Sequence, residues 1–251
     1  MTYARRLRFG LPILDEMLQG GLVAERPYLI TGPPGSGKSL LAAQFLIQGL
    51  KEGDRGLLVA LDEPPNEIKA NLRPLGAKIE DLDVLDANSD ILKMEPTPVM
   101  ELSTEIRPFR FRDIPAAIRK TPDSGGVEIS VHSLQNQLKV TFRRTTYKRL
   151  VLDSLTGLKM FTMKDFEEQI AVQSFIRFLT ENHVTSLLTM ETGPQAQPAL
   201  ERLLTRGEIR LHRERVPSGL ERWVSVEKYR GSKHDEGYRK FSIQDSGLYV
   251  E

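Results

Sequence analysis

Tyr28-Leu29-Ile30-Thr31-Gly32-Pro33-Pro34-Gly35-Ser36-Gly37-Lys38-Ser39 decides the fold. Four residues suited to a buried strand run into a glycine loop, and the loop runs into a segment of helical periodicity. Gly, four residues, Gly-Lys-Ser is the spacing at which main-chain N–H groups converge on a phosphate. At that spacing the lysine reaches the β- and γ-phosphates and the hydroxyl reaches Mg²⁺. The loop therefore predicts a site for a nucleoside triphosphate, ATP with Mg²⁺. Gly32, Gly35, Ser36, Gly37, Lys38, Ser39 and Leu40 would bind the nucleotide, with Ser39 on the metal.

Working outward, Leu40, Leu41, Phe45, Leu46 and Leu50 recur at helical spacing, so a helix is expected from Lys38 to Lys51, capped at Gly53. Gly56–Leu61 is a second buried strand, stopped by Pro64-Pro65 and followed by a helix over Asn66–Leu72. Asp83–Asp86 and Leu150–Leu152 read as strands, Asp165–Asn182 as a helix, and Ser186–Thr189 as another strand. Short apolar runs alternating with helices are the rhythm of a parallel sheet with crossover helices. From Glu208 the period becomes two around Pro217-Ser218-Gly219, which predicts an antiparallel hairpin added to the sheet edge. Scattered prolines and Gly125-Gly126 predict loops and short helices between Asn88 and Ser130. One glycine loop and no repeat predict a single α/β domain over 1–251, with 88–146 its variable part.

The chain has 251 residues, 39% hydrophobic and 27% charged, with a formal net charge of +1. That balance by itself selects neither nucleic acid nor membrane as a partner. With no cysteine, disulfides and thiolate metal sites are excluded, and His132, His183, His212 and His234 show no ligand spacing. No apolar run approaches the roughly 18 residues that cross a bilayer, and the opening residues do not resemble a signal peptide. The expected compartment is the cytoplasm.

Two strands end in acids. Asp153 closes Leu150–Leu152, the setting of a carboxylate that holds Mg²⁺ directly or through water. Asp62-Glu63 closes the strand after the phosphate helix, where either carboxylate, with Lys38, would serve catalysis by orienting and deprotonating a water.

These residues resemble a KaiC-type ATPase of the RecA superfamily along nearly the whole chain apart from 88–146. The opening Gly10–Leu22, the phosphate loop with Gln44-Phe45-Leu46, Leu152–Thr156 and Leu188–Glu191 each resemble a family segment. Lys228-Tyr229-Arg230-Gly231-Ser232-Lys233-His234 resembles its Lys-x-Arg-Gly-(Thr/Ser)-x-His element. The resemblance implies a RecA-like core assembled into hexameric rings, with ATP at each subunit interface. It implies that Lys228 and Arg230 reach the γ-phosphate bound by the neighbouring subunit. Tyr229, Ser232 and His234 would lie near ribose and base, joined by Asp245. Asp62-Glu63 stands where the family has Glu-Glu, so hydrolysis would be slow or fall to Glu63, and Arg206-Gly207 replaces the usual Ala-Asp. Nothing supports autokinase activity or timekeeping.

Residues 107–149 hold ten Lys or Arg against three acids, and Val131, Leu134, Leu138 and Phe142 predict an amphipathic helix within them. The functional reading is a surface for nucleic acid or an acidic partner. Without interleaved aromatics a solvated helix face is favoured. The expected function is an ATPase acting in a regulatory assembly with a protein partner. The alternatives are a DNA-binding ATPase akin to single-domain RadA paralogues and an oligomerisation module that holds ATP without turnover.

Overall fold

The expected apolar runs pair into one twisted sheet in a computed structural model, which describes residues 5–75, 79–87, 131–160, 165–193, 199–217, 219–244 and 247–251. The whole segment expected to form loops and short helices, 88–130, lies outside them, as does Asp245. In chain order the strands are β1 (Arg6–Leu7), β2 (Leu22–Val23), β3 (Pro27–Gly32), β4 (Gly56–Ala60), β5 (Asp83–Asp86), β6 (Arg149–Asp153) and β7 (Thr185–Glu191). β8 (Gly207–Val216), β9 (Gly219–Tyr229), β10 (Arg239–Gln244) and β11 (Gly247–Val250) complete them. The helices are α1 (Pro12–Met17), α2 (Lys38–Glu52), α3 (Pro65–Leu72), α4 (Val131–Arg144), α5 (Leu155–Met160), α6 (Asp165–Glu181) and α7 (Ala199–Leu204).

Among the described residues nine strands form the main sheet, in the order β11-β10-β9-β8-β3-β7-β6-β4-β5. From β8 to β5 every pairing is parallel, and β9, β10 and β11 are added antiparallel. The expected C-terminal hairpin is β8–β9, and two further strands lie beyond it, so the sheet ends at β11 rather than at the hairpin. The chain leaves β3 for β4 on one side and later returns to lay β8 on the other. Strand order therefore reverses at β3, and the C-terminal end of such a strand is where open α/β sheets bind their ligands.

The strands read as continuous apolar runs because both faces are covered. Tyr28, Ile30, Leu58, Val151 and Leu187 face one core with Phe45, Leu46 and Leu14. Leu29, Leu57, Val59, Leu150, Leu152 and Leu188 face the other, with Leu138, Phe175 and Leu179. This alternation is the period of two of a β-strand. α2 ends where Gly53, at φ 77°, donates its N–H to Gly49 and Leu50 carbonyls.

Arg149, counted in the basic segment, is corrected to a core residue: it is 0% exposed. Its guanidinium donates to the carbonyls of Arg8 at 2.7 Å and Phe45 at 2.8 Å, and pairs with Glu52 and Asp54. A slot for it exists because Gly49 has no side chain: a Cβ there would lie 2.5 Å from Arg149 Cδ. Arg149→Ala would leave Glu52 and Asp54 without their buried partner. Since both acids keep some contact with water, at 24% and 10% exposure, the expected loss is about 2–3 kcal/mol, below that of a fully buried pair. Urea unfolding measures it, and an unshifted midpoint would contradict this role. Lys139, Arg143 and Arg144 of α4 are exposed, as the solvated-face reading expects.

Candidate functional site

Gly32 ends β3, and its lack of a side chain is a steric requirement. A Cβ there would sit 2.4 Å from the Leu211 carbonyl oxygen of the neighbouring strand. The loop then turns through Gly37, at φ 101°, a left-handed conformation that glycine adopts without strain. Gly37 is the residue before α2, and no side chain caps the helix there. The first N–H groups of α2 are thus uncapped and point at the loop, the arrangement that receives a phosphate. Ser36 is fully buried in the loop, with a hydroxyl that has no partner.

Lys38 is 8% exposed. Its Nζ is folded back onto the lip of the loop, donating to the carbonyls of Gly32 at 3.1 Å and Pro33 at 3.0 Å. Burial pulls its pKa below the ordinary lysine value, against the raising effect of Glu191, Asp153 and Asp62. The charges of three carboxylates, each near the C-terminal end of a parallel strand, thus act on one buried ammonium. Glu191 lies 3.9 Å from Nζ.

Asp153 closes β6 beside this lysine. Burial pushes its carboxyl above the usual carboxylate range, opposed by hydrogen bonds from Thr189 and Ser39, with Asp62 raising it further. The Ser39–Asp153 contact places a hydroxyl and a carboxylate oxygen together at the start of α2. These are hard oxygen donors of the kind Mg²⁺ takes, and it typically uses one or two carboxylates with phosphate oxygens and water rather than an all-protein cage. Among the described residues no three His, Asp or Glu gather into a cage.

The two acids after β4 diverge. Asp62 lies against α5, where a Cβ on Gly157 would be 2.3 Å from its Oδ1, and it belongs to the charge environment of Lys38 and Asp153. Both acids are exposed, and Glu63 accepts a hydrogen bond from Asn71 of α3 at 3.3 Å. In the sequence Thr189 and Glu191 belong only to a segment that resembles a family strand end, with no individual role. Their position at the C-terminal end of a parallel strand was the available signal.

Lys228, Tyr229, Arg230, Ser232 and His234 are not brought to the subunit's own loop. Lys228 is paired with Glu208, and Glu208 with Leu29, near the start of β3. Three residues of strand separate Leu29 from Gly32, about 10 Å at 3.3 Å each. The Lys228 Nζ donates to the carbonyls of Thr205, at 2.7 Å, and Arg202. Burial, then Arg230 and Arg202, push its pKa down to about 8. Tyr229 is corrected to a core residue, 4% exposed. Its hydroxyl donates to the Gly21 carbonyl and accepts from Val23 N and Arg6, which leaves it no polar atom to offer a ribose or base. Arg6 also donates to Ser232 Oγ at 2.8 Å, tying the turn to the N-terminal segment. Arg230 is exposed and His234 half-buried.

The family profile described as "ATPase: KaiC" matches residues 7–251. A UPF0273 protein of Thermotoga maritima is 28% identical over 254 residues, covering 98% of this chain and 96% of the relative. The circadian clock protein KaiC2 of Synechocystis is 26% identical, covering 96% of this chain and 39% of that longer protein. The crystal structure of a KaiC-like protein from Pyrococcus horikoshii superimposes with a TM-score of 0.77 at 23% identity, covering 99% of both chains.

Proposed function

The chain belongs to the KaiC family of ATPases, and from that premise we propose that it is a slow, Mg²⁺-dependent ATPase that works as a ring. One observation carries the reading: Lys38, Ser39, Asp153 and Asp62 converge on an uncapped helix start at the point where strand order reverses. The loop amides and Lys38 would bind the β- and γ-phosphates. Ser39 and Asp153 would hold Mg²⁺, which when bound would neutralise phosphate charge. Asp62 would orient the attacking water and accept its proton.

The placement of Lys228 and Arg230 away from their own loop supports a site shared between copies, in which Arg230 stabilises transferring charge in trans. A hexamer acting in the cytoplasm with a protein partner is the assembly we infer. No helix among the described residues is long and apolar enough to cross a membrane.

Arg230→Ala is expected to cut ATP turnover by about tenfold to a hundredfold, less than loss of a lone arginine finger because Lys228 supplies a second cation. Its melting temperature should not change, because the side chain is exposed. Phosphate release and light scattering with and without ATP provide the test. Full activity in a strictly monomeric preparation would overturn the shared site.

A further inference from the structure

We propose that Arg213, on the subunit's own β8, binds the γ-phosphate in cis, with Arg222 behind it. The inference rests on the phosphate-loop reading and extends it to a residue from another strand. β3 stops at Gly32, and its last pairing with β8 is Thr31 with Arg210. β8 continues to Val216 and so overhangs the loop. Side chains alternate along a strand. Leu211 is buried on the α2 side, and Arg213 is the next position on that side, beyond the end of β3. Its Nη1 donates to the Pro34 carbonyl at 3.2 Å. It also fills the space above Gly35, where a Cβ would lie 3.3 Å from Nη1.

Lys38 donates to the carbonyl of Pro33 and Arg213 to that of Pro34. Two cations thus occupy consecutive carbonyls of one lip. The lysine of such a loop serves the β- and γ-phosphates, so its neighbour on that lip is at the γ end, away from the Ser39–Leu40 end. Both cations hold weak neutral acceptors that a phosphate oxygen would replace with a charge-assisted bond.

A second observation points to an anion at this place. Arg213 is directly paired with Arg222 of β9, and like charges directly opposite each other are destabilising. Among the described residues neither forms an ion pair with a carboxylate, and Arg222 Nε is buried without a partner. The adjacent acids Glu214 and Glu221 are paired with each other and by alternation face the other side. Among the described residues, the α2 side is left with two guanidiniums and no acid between them.

Calorimetry with Mg²⁺-bound ATP analogue carrying an imido β–γ bridge, and with Mg²⁺-ADP, separates the possibilities. Arg213→Gln is expected to weaken the analogue about tenfold to a hundredfold and to leave ADP within about twofold. Arg213→Lys should recover part of the loss, and Arg222→Gln should weaken the analogue less. Equal losses for both nucleotides would mean that Arg213 only packs the loop, and no loss for either would mean that it is idle; each result overturns the proposal. So would a change in oligomer size for Arg222→Gln with the ATP-over-ADP preference intact, since the pair would then face a neighbouring copy. Lys38→Ala serves as the reference: if it binds both nucleotides like the unmodified chain, the phosphate-loop reading itself has failed, independently of Arg213. Melting temperatures establish that each variant is folded.

Discussion

Lys38→Ala is expected to abolish ATP binding, with affinity falling by about a thousandfold or more. The lysine does two things that add. Its ammonium supplies charge-assisted bonds to the β- and γ-phosphates, and it offsets Glu191, Asp153 and Asp62, which all act on it electrostatically. Without it those carboxylates would face a polyphosphate of like sign. At a separation of about 4 Å and an effective dielectric near 20, each such pair costs roughly 4 kcal/mol before counterions respond. The fold should survive. Burial holds the Lys38 pKa below its ordinary value, so the charged ammonium is a net burden on the folded state at neutral pH. Alanine should therefore leave the melting temperature unchanged or slightly raised. Calorimetry on a variant that melts normally checks both halves, and undiminished affinity would end the loop assignment.

Much of this architecture is visible in the sequence, because parallel strands covered on both faces must be apolar throughout. Tyr28–Ile30, Leu57–Val59 and Leu150–Leu152 are apolar throughout and lie in the two cores. The helix over 131–144 is visible for a related reason, since Leu134 and Leu138 repeat at helical spacing and are buried. Two residues were misjudged because their partners are far away in the chain. Arg149 follows Lys148 and reads as half of a surface basic pair, yet its environment is made by Arg8, Phe45, Glu52 and Asp54. The mid-helix Gly49 was the only local hint. Tyr229 sits inside a motif that suggests ligand contact, yet in β9 its neighbours alternate, and its turn inward meets Tyr28 at 5.8 Å and the Gly21 carbonyl. Arg213 escaped notice because its position over the loop depends on β8 outrunning β3 by five residues, a matter of register that composition does not encode.

The same geometry separates two acids that the sequence left equivalent. Asp62→Asn is expected to slow phosphate release by about a thousandfold, within the range that a positioned general base contributes. Glu63→Gln should change it by less than about threefold, because Glu63 is not among the charges that act on Lys38 and Asp153. Asp62 shares the electrostatic environment of Lys38 and Asp153, while Glu63 is turned toward Asn71 on the outside of α3. The amide at 62 keeps shape and removes one negative charge beside the phosphates, so ATP should bind at least as tightly as before. Loss of turnover with binding retained is therefore the signature of a base rather than of a damaged loop. Single-turnover phosphate release, read beside the binding isotherm for each variant, gives the answer. A thousandfold loss at Glu63 with little change at Asp62 would move the base to α3's threshold and require the Glu63 side chain to swing inward on binding. If neither substitution slowed release, no water would be activated here, and ATP would serve this chain as a ligand that joins copies rather than as fuel.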